Sequence, residues 1–395
     1  GKTVGKLNAL NTIGSIIGTF VPTFITIPAV GTAATFLIFA GVLAAIGIVY
    51  FAFARKKMLK GIVAAVVIVG LCFTLPTYSF AFWENDIALE DESIYNYLQV
   101  KDSDRQTTLS TNVLFGVQSV TMKDKGLTGM YYDTALAAPA LADNANSALI
   151  LGMGTGTYAR QLKQYYPKMN ITGVEIDQKI TDLAGEYFDE PADIPVTTYD
   201  GRAWLAASHD KYDVIMVDAY QDITIPFQMS STEFFTMVRE HLNPGGVMVV
   251  NMNMISDGQG SINEALSDTI ASVFGNGNTL TADVPNTTNR ELFAKKPGSG
   301  SEENSMQQAS KALNLRETTY ERTGSEDLEW YMEEVASRFR KVNEPDSAST
   351  ILTDDKAPVE VLGMHAIDQI IADEAGPYRQ ILKDEGFGGL LRAVQ

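Results

Sequence analysis

Three long apolar stretches fill the first 83 residues, and they constrain the fold of this chain more than any other feature. Residues 8–27, 32–54 and 61–83 each contain about 20 or more residues with few polar side chains, and a helix needs about 20 residues to cross a bilayer. A cleaved signal peptide fits poorly, because it has a single apolar region of about 7–15 residues. Residues 1–83 are therefore predicted to form about three transmembrane helices, which could belong to a larger membrane domain.

Charge separates this segment from the rest of the chain. Residues 1–83 contain six basic side chains, at positions 2, 6, 55, 56, 57 and 60, and no acidic one. The remaining 312 residues carry 24 basic and 48 acidic side chains. Such an acidic surface argues against nucleic acid or an anionic membrane surface as a partner.

Cysteine and histidine are too scarce for a metal centre. Cys72 is the only cysteine and lies in the third apolar stretch. The three histidines, His209, His241 and His365, are far apart in the sequence. We expect no metal ion and no disulfide within one chain.

The acidic part divides into two predicted regions. Residues 84–129 show short alternating apolar runs broken by polar turns, which predict a small β subdomain. Residues 130–142 have a helical pattern, and from residue 147 strands and helices alternate. This alternation predicts a parallel sheet covered by helices on both faces. The expected fold class is α/β, with a Rossmann-like nucleoside-binding domain at 130–395.

Candidate ligand-binding residues follow four successive strands of this predicted sheet. In doubly wound folds the ligand lies beyond the carboxyl ends of the strands. A glycine permits close backbone approach to a ligand, and a carboxylate after the second strand can accept both ribose hydroxyl protons. The strand ends carry, in chain order, Gly152, Gly154 and Gly156; Glu175 and Asp177; Asp200 and Gly201; and Asp218.

The glycine spacing favours an S-adenosylmethionine-type nucleoside over a dinucleotide. A dinucleotide site uses G-x-G-x-x-G, whereas "GMGTGTY" contains G-x-G-x-G followed by Thr157 and Tyr158. A sulfonium nucleoside also has no pyrophosphate to place at a helix N-terminus. The carboxylate of Asp200 suits the adenine amino group.

Residues 93–253 resemble the spermidine synthases, or polyamine aminopropyltransferases, and especially their membrane-fused members. The segments "SIYNYLQV", "LFGVQS" and "MYYDTALAAPAL" are similar to the family's first strand, hairpin and helix, and "YDVIMVDAYQ" to its catalytic strand. "LTDDKAPVE" at 352–360 resembles a closing segment of the fused members, and "KLNALNTIGSIIGTFVPTFITIPAVG" their last membrane helices.

The resemblance implies transfer of an aminopropyl group from decarboxylated S-adenosylmethionine to an amine such as putrescine. By position, Glu175 would hold the ribose, Asp200 the adenine amino group and Asn96 the nucleoside. Asp218 would be the base that deprotonates the amine, and Tyr132 would orient that amine. The other implied substrate-binding residues are Gln118, Thr155, Tyr220 and Gln221.

Departures from the family pattern keep two alternatives open. Thr155 and Gln221 stand where the family has acids, Asn96 replaces its usual Gln, and Asp133 stands where Gln or His is usual. The loss of two acids weakens the case for a dicationic amine. The first alternative is a methyltransferase that uses intact S-adenosylmethionine. The second is a membrane sensor or transporter that binds a nucleoside without turnover.

The expected partners are a small amine and the lipid bilayer through residues 1–83, with a homodimer as one possible assembly and no nucleic acid. The expected location is the plasma membrane, but two arguments disagree on the side of the acidic region. The basic residues at positions 2, 6 and 55–60 favour the cytoplasm, so three crossings put residue 84 outside. The implied donor, however, is made in the cytoplasm.

Overall fold

The computed structural model describes residues 2–54, 87–111, 117–124, 126–189, 191–219, 225–253, 260–298, 310–347 and 349–364, with a few isolated residues and the short helix at 379–386 outside these ranges. The chain forms two compact units, Gly1–Lys123 and Asp124–Gln395. The boundaries expected at residues 83 and 129 stay predictions. Most of the third apolar stretch, Cys72, the basic run 55–60 and His365 lie outside the described residues.

The first unit begins with a long apolar helical segment. It consists of helix α1 (Lys2–Val21), a π-helical turn (Pro22–Thr26) and helix α2 (Ile27–Ala54). Proline lacks the backbone N–H that an inner helical turn requires, which accounts for the irregular turn at Pro22. Gly31 then interrupts α2 with φ 82° and ψ 165°. Among the described residues, the stretch Thr3–Tyr50 is long and apolar enough to cross a membrane.

A four-stranded antiparallel sheet completes the first unit. Its strands are β1 (Ile87–Glu92), β2 (Tyr97–Asp102), β3 (Gln106–Ser110) and β4 (Ser119–Met122), paired in sequence order. Leu98, Val100, Leu109 and Val120 are buried in this sheet. The predicted short strands are present among the described residues, and three consecutive residues are buried in each of β2 and β3.

The second unit is a sheet of eight strands in the order β12-β10-β11-β9-β8-β5-β6-β7. Strands β5 to β9 are parallel, whereas β10 to β12 join by antiparallel pairing. The strands are β5 (Ser147–Leu151), β6 (Asn170–Glu175), β7 (Val196–Thr198), β8 (Tyr212–Val217), β9 (Leu242–Met252), β10 (Thr279–Asp283), β11 (Arg290–Lys295) and β12 (Phe339–Lys341).

Helices cover both faces of this sheet, as the sequence predicted. They are α3 (Tyr131–Ala135), α4 (Ala137–Leu141), α5 (Thr157–Tyr165), α6 (Gln178–Tyr187), α7 (Gly201–Ala207), α8 (Thr232–His241), α9 (Ile262–Phe274), α10 (Ala312–Thr323) and α11 (Glu326–Ser337). One apolar layer joins Met216, Val249 and Phe293 to α3, α4 and α5. The opposite layer joins Val217 and Leu292 to α8 and α9.

The order of the parallel strands positions a ligand crevice. From β5 the chain proceeds outward through β6 and β7, and then returns to the other side of β5 as β8 and β9. The carboxyl ends of β5 and β8 therefore form the switch point where doubly wound folds bind ligands. Gly152 and Asp218 directly follow these two strands.

Candidate active site

The loop after β5 is shaped by its glycines. Gly152, Gly154 and Gly156 all have positive φ, at 84°, 55° and 80°, a region that side chains with a Cβ disfavour. The backbone N–H groups of Gly152 and Met153 both donate to the Val174 carbonyl, at 2.9 and 3.0 Å. A Cβ on Gly152 would lie 2.4 Å from the Asp218 carbonyl oxygen. The first glycine thus permits two strand ends to approach each other.

Glu175 connects this loop to the end of β6. Its Oε2 accepts a hydrogen bond from the Gly154 N–H at 2.8 Å, and its Oε1 accepts one from the Asp177 N–H at 3.0 Å. The side chain is buried, and burial raises its pKa above the ordinary glutamate value. Each oxygen retains a second lone pair, so the carboxylate fits a ribose diol as well as the loop.

Two of the candidate acids begin helices. Asp177 caps α6 by accepting from the Lys179 N–H at 3.1 Å, and Asp200 caps α7 by accepting from the Ala203 N–H at 2.7 Å. Asp177 is buried, whereas Asp200 is half-buried. Aspartate is a favoured helix-capping residue, so the structure gives both carboxylates a local role beside the predicted ligand role.

Asp218 lies half-buried at the end of β8 with both oxygens bonded. The Tyr131 hydroxyl donates to Oδ2 at 2.6 Å, and the Asn251 amide donates to Oδ1 at 3.0 Å. Burial is the main cause that raises the pKa of Asp218 to about 7; the hydrogen bonds from Tyr131 and Asn251 oppose the rise, and the charge of Glu175 adds to it. A carboxylate that titrates near neutrality is suited to accept a proton.

Strand register places several polar residues in one row across the sheet. Asn251 is directly opposite Glu291, and Val217 is opposite both Val250 and Leu151. Continuing these registers by one residue aligns Asp218 with Asn251 and with Gly152. The same step aligns Gly152 with Glu175. In neighbour order the row, hereafter the polar row, reads Glu291, Asn251, Asp218, Gly152 and Glu175.

Sequence reasoning missed Glu291 and Asn251. Asn251 lies at the carboxyl end of β9, so it could have been found by extending the strand-end argument by one strand. Glu291 lies inside β11, which joins the sheet by antiparallel pairing, and that argument does not apply to it. The one available signal was a charged residue within the apolar run "ELFA".

The tyrosine whose hydroxyl donates to Asp218 is Tyr131, the residue before the predicted Tyr132. The two rings are 4.0 Å apart between centroids, and both residues are buried. Asp133 fixes the start of α3, because its carboxylate accepts from the backbone N–H groups of Thr128 and Gly129 at 3.0 and 2.6 Å. The Gln161 amide also donates to it. The role assigned to Tyr132 stays a prediction.

The remaining predicted site residues are Thr155, Gly201, Asn96, Gln118, Tyr220 and Gln221. Thr155 is fully buried, and its carbonyl accepts from Arg160 Nη1 at 2.5 Å. Gly201 opens α7, where an added Cβ would meet its nearest atom at 3.6 Å. Asn96 and Gln118 lie in the first unit, and their roles stay predictions. Tyr220 and Gln221 lie outside the described residues.

No metal site is found among the described residues, where no three His, Cys, Asp or Glu side chains gather closely enough to hold an ion. The expectation of a metal-free enzyme stays a prediction, because the described ranges do not include the whole chain.

A family model and two relatives indicate one family. The spermine/spermidine synthase domain matches residues 130–296. A protein of Bifidobacterium longum, described as a probable polyamine aminopropyl transferase, is 90% identical over 348 residues, which are 88% of this chain and 78% of that protein. A polyamine aminopropyltransferase of Corynebacterium efficiens is 27% identical over 277 residues, which are 63% of this chain and 51% of that protein. The chain therefore spans about half the length of this second relative.

The crystal structure of a probable spermidine synthase from Corynebacterium glutamicum aligns with a TM-score of 0.47 at 20% identity, and the alignment covers 67% of this chain and 98% of that one.

Proposed function

Because the chain belongs to the polyamine aminopropyltransferase family, we propose that it transfers an aminopropyl group from decarboxylated S-adenosylmethionine to an amine such as putrescine, with Asp218 as the base. Membership of the family makes the chain a transferase. The donor, the acceptor and the individual residue roles are parts of the proposal.

The environment of Asp218 is the main support for this proposal. Its carboxylate lies at the switch point of the sheet, is oriented through both oxygens by Tyr131 and Asn251, and has a pKa of about 7. An amine that enters this crevice arrives mostly as an ammonium ion, which has no lone pair for attack. A fixed carboxylate that titrates near pH 7 can accept the proton and hold the nitrogen in line.

The proposed aminopropyl transfer needs no reactant besides the donor and the acceptor amine. The freed lone pair of the acceptor nitrogen attacks the aminopropyl carbon attached to sulfur and forms a C–N bond. The C–S bond breaks, and its electron pair neutralises the sulfonium to give a thioether. The proton removed from the acceptor resides on Asp218 and returns to solvent.

The nucleoside would bind along the carboxyl ends of β5, β6 and β7. Glu175 would accept both ribose hydroxyl protons while it holds the loop through Gly154, and Asp177 would support that position from the start of α6. Asp200 would accept from the adenine amino group with the oxygen that does not cap α7. Gly152, Gly156 and Gly201 would leave room for the ligand.

Two of the proposed acceptor-binding residues, Tyr220 and Gln221, lie outside the described residues. We propose Gln118, Tyr132, Thr155, Tyr220 and Gln221 as substrate contacts and Asn96 as a nucleoside contact, from their positions in the family motifs.

We also propose that the N-terminal segment anchors the enzyme in a bilayer. Large apolar side chains along α1, the π-helical turn and α2 are exposed, including Leu10 at 65%, Phe24 at 67% and Leu43 at 69%. A continuous apolar surface of this kind marks a membrane or protein contact, and the length of the segment fits a bilayer. The lipid phase is therefore the proposed partner of residues 1–83.

The test compares Asp218→Asn with Asp210→Asn, which removes an exposed carboxylate in the same unit. The full chain, purified in detergent, is incubated with decarboxylated S-adenosylmethionine and putrescine, and the polyamine and thioether products are quantified. We expect the wild type and Asp210→Asn to form both products. Asp218→Asn should lose turnover by about 100-fold or more while it still binds the nucleoside.

Three results would contradict parts of this proposal. Near-native turnover by Asp218→Asn would reject the base. Methyl transfer from intact S-adenosylmethionine, without aminopropyl transfer, would favour the methyltransferase. Unchanged nucleoside affinity in both Glu175→Ala and Asp200→Ala would reject the pocket, because the loss of buried hydrogen bonds should weaken binding by about 1–3 kcal/mol.

A further inference from the structure

Glu291 is a buried carboxyl group that the proposed reaction does not use. The residue is 0% exposed, and within the described part of the chain neither of its oxygens has a hydrogen-bond partner. Buried polar groups in folded proteins are nearly always hydrogen-bonded, so an exception requires an explanation. A carboxyl left without a partner costs the fold stability.

Glu291 lies in the same polar row as Asp218, the proposed base. Glu291 pairs with Asn251 across β11 and β9, and Asn251 donates to Asp218 on β8. Two strand spacings therefore separate Glu291 from Asp218, about 10 Å between backbones. Both side chains lie on the face of Met216 and Phe293, each two residues along its strand.

Among the described residues, the charged group that acts on Glu291 is the acid Asp218. Its row neighbour on β9, Asn251, is an uncharged amide, and the row continues to the acid Asp218. Helices α3 and α5 place Tyr131 and Tyr158 in the same layer, and the Tyr158 hydroxyl already donates to the Ala135 carbonyl at 3.0 Å. A cation that pairs with Glu291 must therefore come from outside the described fold.

We propose that Glu291 is a substrate-binding acid whose carboxylate pairs with an ammonium group of a bound substrate. This inference rests on the proposed aminopropyl transfer, which supplies two sources of an alkylammonium. One is the second amine of the acceptor, at the end that does not attack. The other is the terminal amine of the donor's aminopropyl chain. Glu291 would thus supply a negative charge that Thr155 and Gln221 do not.

Binding of the ammonium should release a proton. Burial and the nearby charge of Asp218 hold the pKa of Glu291 well above its ordinary range, which favours the neutral carboxyl group in the free enzyme. An ammonium partner favours the ionised form. The carboxyl must therefore lose its proton as the ion pair forms.

The experiment measures this proton by calorimetry on the full chain in detergent. Binding is titrated at about pH 8.5, where Asp218 with its pKa of about 7 is ionised, in two buffers that differ in ionisation enthalpy. One arm adds decarboxylated S-adenosylmethionine, and the other adds putrescine in the presence of the thioether product. The variants are Glu291→Gln and its control Glu317→Gln, which removes an exposed carboxyl group of α10.

We expect the wild type and Glu317→Gln to release more protons on binding than Glu291→Gln in one of the arms, and that arm identifies the source of the ammonium. In the same arm Glu291→Gln should bind about 10- to 100-fold more weakly. Equal proton release and equal affinity for Glu291→Gln and the wild type in both arms would overturn the proposal. If the wild type binds neither compound, aminopropyl transfer itself fails, and this inference fails with it.

A second variant separates binding from folding. Glu291→Met has a similar volume and no polar group, so it should melt at a higher temperature than the wild type and still lose ammonium binding. A lower melting temperature together with native affinity would show a purely structural role for Glu291 and overturn the proposal.

Discussion

At the level of single residues, two opposing effects act on Asp218. Removal from water disfavours its charge, whereas hydrogen bonds from Tyr131 and Asn251 favour it. Burial has the larger effect, since the pKa is raised to about 7. The ionised Asp218 side chain thus destabilises the fold, but it is suited to act as a base.

The pH dependence of turnover follows from this pKa. As a base, Asp218 must be ionised, so kcat/KM should rise about tenfold per pH unit below pH 7 and level off above it. Tyr131→Phe removes a hydrogen bond to the carboxylate, so the rise should move to higher pH by about one unit. The control Tyr320→Phe, at an exposed tyrosine of α10, should leave the midpoint unchanged. Steady-state rates between about pH 5 and 9 check this, and an unmoved midpoint in Tyr131→Phe would show that the bond does not tune the base.

Ionisation of Asp218 should raise turnover, as argued above, but it should lower the stability of the fold. The pKa of Asp218 is about 7 when folded and about 3.9 when unfolded. Below both values the carboxyl is neutral in either state, so its full penalty appears only as the pH rises from about 4 to 7. Asp218→Asn should therefore be more stable than the wild type at about pH 8, by up to about 4 kcal/mol, and similar to it near pH 4. Thermal melting at both pH values checks this, and an equal difference at both would contradict it.

At the level of elements, the sequence predicted the parts of the sheet that have a local pattern. Buried strands alternate with amphipathic helices from β5 to β9, so their order and the polar residues after them could be inferred. The Tyr131–Asp218 contact joins residues far apart in the chain and has no local signal. Glu291 was missed because β11 enters the sheet by antiparallel pairing. In the apolar segment, the π-helical turn begins at Pro22 and the non-helical backbone angles lie at Gly31.

The close approach of β5 and β8 gives a prediction about glycine. In Gly152→Ala, the added Cβ would lie 2.4 Å from the Asp218 carbonyl oxygen and 2.8 Å from the Ala219 Cα, at a φ of 84°. The strand ends would have to separate, so we expect a loss of about 1–3 kcal/mol and a displaced base. The matched control is Gly185→Ala in α6, where an added Cβ would meet nothing within 4 Å. Melting temperatures and turnover of both variants check this. Equal stability of the two would reject the steric argument.

At the level of the whole molecule, one contact within the first unit bears on membrane orientation. Because Gly31 interrupts the helix, the backbone N–H of Thr32 is available at the start of the next helical stretch. Glu92 on β1 accepts from this N–H and from the Thr32 hydroxyl, both at 2.7 Å. The carboxylate caps a helix that begins sixty residues earlier. The turn between the two apolar stretches therefore lies beside the first sheet.

This contact predicts which segments share a side of the membrane. If α1 and the stretch after Gly31 both cross a bilayer, the turn near Val30 and the β2–β3 turn at Ser103 should face one side, and Lys6 the other. The charge rule then assigns the Lys6 side to the cytoplasm and the sheet to the outside, against the argument from donor supply.

Single cysteines at these three positions, in a Cys72→Ser background, can be labelled in intact cells with a membrane-impermeant maleimide. We expect labelling at positions 30 and 103 and protection at position 6 until lysis. Labelling of position 6 alone would place the sheet in the cytoplasm, and equal labelling of all three would reject the membrane crossing.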